Sequence, residues 1–296
     1  MLAGGGRGFA RPCSHRQPRA RVLGAIAVLG SCVAIQGSAA LAAPIFTEMS
    51  PLGVAAWRQV IGGLTLLLLF RPTLSNRPRS TWLLVVGLGT AMASMNVLYY
   101  EAVDRLPLGV AASLLYLGPF VLATVAIRDR RQLVWPLLAL AGVAAMARPD
   151  KAAVDTLFGV LVGALAAAAL AVYTLLSHRL GSRAGFGELA LAVGFSGLLL
   201  TPTAITHPPA SSNGTWITLI AIGVVGVGIA FLLDYVALRL AGTAVVATLF
   251  ALDPAIGALL GGLLLADHLT VIALAGVGLV VVAGVGLTRP NKSGTA

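Results

Sequence analysis

Ten apolar runs follow one another along the chain, separated by short polar or charged connections. They lie at roughly 22–43, 52–70, 82–103, 107–127, 132–147, 157–178, 186–205, 215–238, 242–265 and 270–288, and the fifth is short and weakly bounded. A helix needs about 20 apolar residues to cross a hydrocarbon core of about 30 Å. A helix also satisfies its own backbone polar groups, which lipid cannot do. The pattern therefore predicts an all-α integral membrane protein of ten transmembrane helices. A basic tail over 1–21 precedes them and a short tail over 289–296 follows.

The first run imitates a secretory signal peptide. Basic residues up to Arg21 precede it and the small-residue stretch "ALAAP" ends it. The run continues to Phe46, longer than a usual signal core, so it is read as the first span.

Composition points the same way. Of 296 residues, 58% are hydrophobic and only 10% are charged, with a mean hydropathy of +0.95. A soluble domain carries about a quarter of its residues as charges. The net charge of +10 would suit a nucleic-acid binder, but its distribution excludes that class. With a cytoplasmic N-terminus, of the 20 Lys and Arg only Arg105, Arg148 and Lys151 fall outside, and Arg58 falls within a span. That is the positive-inside bias, and it reports orientation. Both termini are expected in the cytoplasm. The Ala-, Gly- and Arg-rich composition suggests a bacterial inner (plasma) membrane. Trp57, Trp82, Trp135 and Trp216 lie near predicted helix ends, as headgroup-level aromatics do.

The chain contains an internal repeat. "YEAVDRLPLGVAASLLYLGP" at 100–119 aligns with "YVALRLAGTAVVATLFALDP" at 235–254. Identities fall at Tyr100/Tyr235, Ala102/Ala237, Val110/Val245, Ala112/Ala247, Leu114/Leu249, Leu117/Leu252 and Pro119/Pro254. "ALAGV" occurs at 139–143 and again at 273–277, so the offset changes from 135 to 134. The repeat divides the chain into units over 22–147 and 157–288, joined by "RPDKAAVDT". Five helices per unit is an odd number, so the second unit enters the membrane from the opposite side. Inverted repeats around a central cavity are a recurring design of secondary transporters. Pro119 and Pro254 fall at matching places, and each leaves the carbonyl four residues back, at Leu115 and Phe250, without its amide partner. They are candidate kinks or hinges, or cavity-lining carbonyls.

The stretch "YYEAVDRLPLGVAASLLYLGPF" followed by "RDRRQLVW" resembles the EamA-domain type of the drug/metabolite transporter superfamily. The threonine/homoserine exporter branch is the nearest resemblance. "AIQGSAALAAPIF", "PLGVAAWRQVIGGLTLLLLFRP", "DYVALRL" and "ALDPAIGALLGGLLLADHLT" look like that branch's helices 1, 2, 8 and 9. The resemblance implies ten helices, two EamA repeats and efflux of small amino acids or related metabolites. Asp234, Asp253 and Asp267 stand where that branch commonly has glutamate. Leu115 stands where it often has glutamate, which separates this chain from the branch's pattern.

Ionisable groups inside spans are costly, by roughly 2.5–3.5 kcal/mol on insertion scales, and are functional candidates by default. Asp253 is the deepest acid. Desolvation disfavours its charged form, so it is a candidate to exchange a proton, or to attract a substrate ammonium. The bland alternative is a structural acid bonded to a neighbouring helix. Arg58 and Glu101 lie at depths compatible with an ion pair. Arg58 could instead hold a substrate carboxylate, or snorkel to the interface. Asp234 is placed to pair with Arg239. Gln36, Asn96, Tyr99, Tyr116 and Tyr173 are candidate neutral partners in the cavity or simple helix–helix contacts. Tyr100 and Tyr235 read as interfacial. Gly257 and Gly261, at GxxxG spacing, read as close helix packing.

His15, His178, His207 and His268 are scattered, and Cys13 and Cys32 form neither a disulfide framework nor a metal-ligand spacing. No HExxH, GxSxG or P-loop is present. No catalytic centre, metal or cofactor is expected. The leading reading is a secondary exporter of a small molecule, working by alternating access in the lipid bilayer, with the proton as a candidate coupling ion. Export of drugs or other metabolites is the first alternative, and an integral membrane enzyme is a distant second. Oligomeric state is left open.

Overall fold

The computed structural model describes residues 17–74, 77–126, 134–146, 153–180, 185–209, 212–267 and 270–287. His15, His268 and the N- and C-terminal tails lie outside these residues, apart from the last part of the N-terminal tail from Gln17. Among the described residues the regular structure is entirely helical. The helices are α1 (Gln17–Ala42), α2 (Pro51–Phe70), α3 (Arg79–Arg105), α4 (Leu108–Ala126), α5 (Val134–Met146) and α6 (Ala153–Leu180). There follow α7 (Phe186–Thr206), α8 (Asn213–Gly223), α9 (Ala230–Ala241), α10 (Thr243–Phe250), α11 (Asp253–Leu264) and α12 (Val271–Leu287). A short 3₁₀ turn, Ala43–Thr47, follows α1, and a π-helical turn, Val224–Ile229, joins α8 to α9 without a break.

Six helical segments are long and apolar enough to cross a membrane: Val22–Thr47, Pro51–Phe70, Arg79–Arg105, Asp155–Ser177, Phe186–Thr206 and Asn213–Ala241. Leu108–Gly118, Asp253–Leu264 and Val271–Gly286 are shorter apolar helices. The run expected as one span over 242–265 is two helices. Leu252 donates to the Leu249 carbonyl at 2.9 Å, a tight turn follows Phe250, and Pro254 sits in the first turn of α11. Proline has no amide to continue the ladder, so the chain restarts there. The matching Pro119 lies within α4, which runs unbroken to Ala126.

Local chemistry sets several ends. Ser50 caps α2 by accepting from the Gly53 amide at 3.2 Å, with Pro51 at the first helical position. Ser212 caps α8 through the Thr215 amide at 3.2 Å. Gly242, at φ +80°, turns α9 into α10 in a conformation that a residue with a Cβ rarely adopts. Asp267 accepts from the Leu108 amide at 3.0 Å and so satisfies the start of α4.

Lipid is as apolar as leucine, so membrane helices associate through close packing rather than through the hydrophobic effect. Here α2 packs along α7, α3 along α6, α5 along α12, and α1 along α9. Glycines make these approaches close: a Cβ on Gly142 would lie 2.6 Å from the Gly276 carbonyl oxygen. Gly257 in α11 sits against Ala112 of α4, as its GxxxG spacing suggested. The outer surface is aliphatic, with Leu68, Leu83, Leu198, Ile217 and Leu263 all exposed. Such a surface suits lipid and does not suit water.

Candidate functional site

Ten polar or charged side chains are buried among the described residues, and five of them, Gln36, Ser38, Arg58, Asn96 and Asp253, converge where α1, α2, α3, the π-helical turn and α11 meet. Arg58 is 4% exposed. One of its terminal nitrogens donates to Asn96 Oδ1, and the other donates to the Gly226 carbonyl at 2.8 Å and to Ser38 Oγ at 3.3 Å. Asn96 in turn donates to the Met92 carbonyl at 3.0 Å. The guanidinium lies 5.2 Å from the centre of the Tyr100 ring. Three hydrogen-bond partners and a ring hold this cation in one orientation, while its Nε has no hydrogen-bond partner among the described residues.

The π-helical turn explains the Gly226 contact. A π turn shifts the backbone ladder and leaves carbonyls free, and such turns gather at functional sites. Gly226 must also lack a side chain, because a Cβ there would overlap the Ser38 side chain.

Asp253 is fully buried. Gln36 donates its Nε2 to Asp253 Oδ2, and Tyr99 donates its hydroxyl to Gln36 Oε1 at 2.7 Å. Cys32 lies beside the same carboxyl. Asp253 Oδ1 has no partner among the described residues. The acid at the start of α11 and the hydroxyl of Tyr99 are thus linked through one amide. Insertion of a carboxyl at full burial is tolerated because part of its hydrogen-bonding capacity is met and because it begins a helix, where the dipole favours an acid.

A cavity of about 50 Å³ lies against Arg58 and Tyr99, lined by Ile35, Arg58, Met95, Asn96, Tyr99, Leu115, Gly226 and Phe231, and Tyr99 and Gln36 stand between it and Asp253. A wider groove of about 610 Å³ runs between α11 and α12, but its walls are aliphatic and glycine. Leu259, Leu263, Leu274 and Val282 in that groove are exposed, so it faces the lipid side. The smaller cavity carries the chemistry.

Contacts between helices tie the bundle together toward both of its ends. At one end, Trp57 packs on Trp216 with ring centres 5.0 Å apart and donates to the His207 carbonyl at 3.1 Å. Thr215 donates to Glu48 nearby. At the other end, Arg77 pairs with Glu188 at 3.1 Å, and Phe186 stacks on Phe70 at 4.7 Å and meets Tyr235 at 4.0 Å.

Several expectations change. Glu101 does not pair with Arg58. It pairs with Arg105 at 2.7 Å, one helical turn further along α3, whereas Arg58 points inward to Asn96. Arg58 does not snorkel. Asp234 does not pair with Arg239, because five helical residues place them about 140° apart on the helix. Arg239 instead lies 4.8 Å from the Tyr235 ring centre, and Asp234 sits beside Ser31 with Oδ1 unpartnered among the described residues. Tyr100 is 1% exposed and belongs to the core beneath Arg58, not to an interface. Tyr116 packs on Phe250 at 6.4 Å, and Tyr173 packs against the buried cluster that includes Leu66, Val85, Leu88 and Met92. Ser38 and the Gly226 carbonyl were missed. Neither a lone serine nor a backbone carbonyl carries a sequence signal; the only hint was the glycine-rich "VVGVGI".

A helical bundle with six segments able to cross a membrane, lipid-facing leucines and ionisable side chains buried beside a small cavity is the architecture of a multi-pass membrane protein. The chain belongs to the EamA-like transporter family, whose model matches residues 22–147 and again 157–289. It is 29% identical over 267 residues to the threonine/homoserine exporter RhtA of Escherichia coli K12, covering 89% of this chain and 90% of that one. It is 28% identical over 258 residues to RhtA of Salmonella typhimurium LT2, covering 86% and 87%. The fold is similar to that of a protein solved by crystallography, with a TM-score of 0.64 and 21% identity over 92% of this chain and 98% of that one.

Proposed function

We propose that the protein is a secondary exporter of small zwitterionic amino acids, of the threonine/homoserine type, that works by alternating access in a bacterial inner membrane. The observation that carries this reading is the pairing of two incompletely satisfied charges in one buried region. Arg58 offers Nε to a carboxylate, and Asp253, behind Gln36, offers Oδ1 to an ammonium or a proton. A buried charge left partly unpaired is expensive, and a zwitterion supplies both missing partners. The similarity to RhtA over most of both chains supports the same cargo class.

The alternating-access reading rests on ten crossings in two inverted five-helix units, 22–147 and 157–288, with both termini cytoplasmic. Contacts between the units are reciprocal at the repeat offset of 134, which supports a two-fold relation. A Cβ on Gly63 would lie 2.8 Å from the Val193 carbonyl oxygen, and a Cβ on Gly197 would lie 2.9 Å from that of Gln59. Gly89 faces the Ala192 carbonyl as Gly223 faces that of Arg58. Odd units related in this way have opposite topologies, so exchanging their conformations exchanges inward and outward access. In this orientation the Arg77–Glu188 pair and the Phe70–Phe186–Tyr235 aromatics close the inner end. Trp57, Trp216 and Glu48 close the outer one.

Asp253 is the proposed coupling residue. A proton arriving from outside neutralises it and weakens its hold on the substrate ammonium; its release inside restores the acid for the next cargo. Gln36 and Tyr99 carry this change of charge to the cavity wall. The test is efflux from a bacterial strain lacking its own amino-acid exporters, loaded with labelled threonine or homoserine, with Asp253→Asn as the control. Efflux by the wild type, accelerated by an inward proton gradient and lost in a well-inserted Asp253→Asn variant, is the expected outcome. Efflux by both keeps the cargo and makes Asp253 structural. No efflux by inserted wild type removes these substrates and brings forward the drug or metabolite reading.

A further inference from the structure

Asp253 has a companion. Asp234 of α9 also holds a carboxyl oxygen, Oδ1, that is shut off from the surface and has no partner among the described residues. Neither acid enters a salt bridge among the described residues. The two stand on the arms of one hairpin that turns at Gly242. Asp234 comes eight residues before the turn, about 12 Å of helix, and Asp253 eleven residues after it, about 16 Å. Asp234 is therefore nearer the end that holds Arg77 and Glu188, and its neighbour Tyr235 meets Phe186 there. Consecutive residues of α1 lie against the two acids. Ser31 sits beside Asp234 and donates to the Ala230 carbonyl of α9 at 3.2 Å, and Cys32 sits beside Asp253. Both are fully buried. One turn further along α1, Gln36 bonds Asp253 and accepts from Tyr99 at the cavity wall. Polar groups thus follow one another from Asp234 past Ser31 and Cys32 to Asp253. The other titratable side chains that face Asp234 are Cys32 of α1, Tyr116 of α4 and Tyr173 of α6, and none of these supplies a positive charge. Arg239 turns instead to the Tyr235 ring. Two carboxylates with no cation between them repel across a low-dielectric interior, and one proton shared by the pair removes the repulsion.

We propose that Asp234 is a second proton-binding site, the inner station of a proton route that runs from Asp253 along Ser31 and Cys32, apart from the substrate cavity. The proposal rests on the proton-coupled reading of Asp253 and extends it to how the proton leaves. The O–H bond on Asp253 breaks as one forms on the Asp234 carboxylate, and the Asp234 proton then passes to water at the inner end. Asp253 is left charged for the next substrate ammonium. Asp234 is not among the residues that line the cavity, so it carries the proton without touching cargo.

The test uses the purified full chain in proteoliposomes and labelled threonine, read in two ways. Counterflow against unlabelled threonine measures cargo exchange without net proton movement. Accumulation of threonine driven by an acid interior measures coupling. Asp234→Asn should exchange at close to the wild-type rate and accumulate at least about tenfold less, the lower end of what a positioned proton-transfer group contributes. Asp234→Glu, which keeps an acid, should restore most of the accumulation with a displaced pH profile. Monodisperse elution in detergent checks that each variant is folded. Accumulation by Asp234→Asn equal to the wild type overturns the inference and leaves Asp253 as the coupling residue. Loss of exchange together with accumulation in folded Asp234→Asn also overturns it, because Asp234 then serves the cargo. Should Asp234→Asn fail to fold, Ser31→Ala takes its place: several-fold lower accumulation at unchanged exchange is expected, and unchanged accumulation overturns the inference. A wild type that exchanges threonine without accumulating it refutes proton coupling itself, and one that does neither refutes threonine export, and the inference with it.

Discussion

The stretches 108–126 and 243–264 carry the same repeat and fold differently. The first is one helix, α4. The second is α10 and α11, parted at Ala251 and Leu252. Gly118 and Asp253 occupy the same repeat position, each just before the shared proline. Gly118 lies against the backbone of Ala167 in α6, where an added Cβ would collide with the carbonyl. Asp253 instead has Cys32 of α1 beside it. One half closes this contact with backbone on backbone. The other opens it and installs a carboxyl bonded to Gln36. The two stretches thus differ at this position, where the second carries a buried acid.

The largest effect should come from forcing the first half toward the second. Gly118→Leu has no room at Ala167, and overpacking a fixed backbone contact costs about 1–3 kcal/mol or more. Fluorescence-detected size exclusion should lose the monodisperse peak. Next comes the acid itself. Asp253→Asn keeps size and hydrogen bonding but removes a charge, and hydrogen bonds to charged groups are worth about 1.5–3 kcal/mol. Net efflux should fall by about ten- to a hundredfold with the elution profile unchanged.

A smaller effect should follow from cutting the link between acid and cavity. Gln36→Leu leaves both Asp253 and Tyr99 in place without their bridge; a net neutral hydrogen bond is worth about 1 kcal/mol. The apparent affinity for cargo should weaken by roughly fivefold, and the acceleration by an imposed proton gradient should shrink. The smallest effect is expected at the closed end. The Arg77–Glu188 pair is partly exposed, and such pairs contribute about 0–1 kcal/mol. Arg77→Gln should change thermal stability little and raise the passive leak measurably.

Much of this was legible in the sequence. Apolar run length and the paired prolines located the helices, and burial of Asp253, Arg58, Gln36 and Asn96 follows from their depth in those runs. Pairings were less legible. The Arg58–Glu101 expectation used depth alone, and depth says nothing of which way a side chain faces around the helix. Asp234 and Arg239 failed on the same angular ground. The break in the helix at Ala251 was hidden because Pro119 reads the same and α4 absorbs it. Ser38 and the Gly226 carbonyl became functional only through a π turn, whose backbone geometry has no side-chain signature.

The central claim is that Arg58 and Asp253 bind one zwitterion between them. The most direct measurement is the thermal midpoint of the purified chain with a free amino acid, its N-acetyl derivative and its amide. Ligand at a hundred times its Kd stabilises a folded state by about 2.7 kcal/mol. The account predicts a rise with the free amino acid alone, absent in Arg58→Gln and Asp253→Asn. A rise with all three compounds, or with the derivatives only, would contradict it.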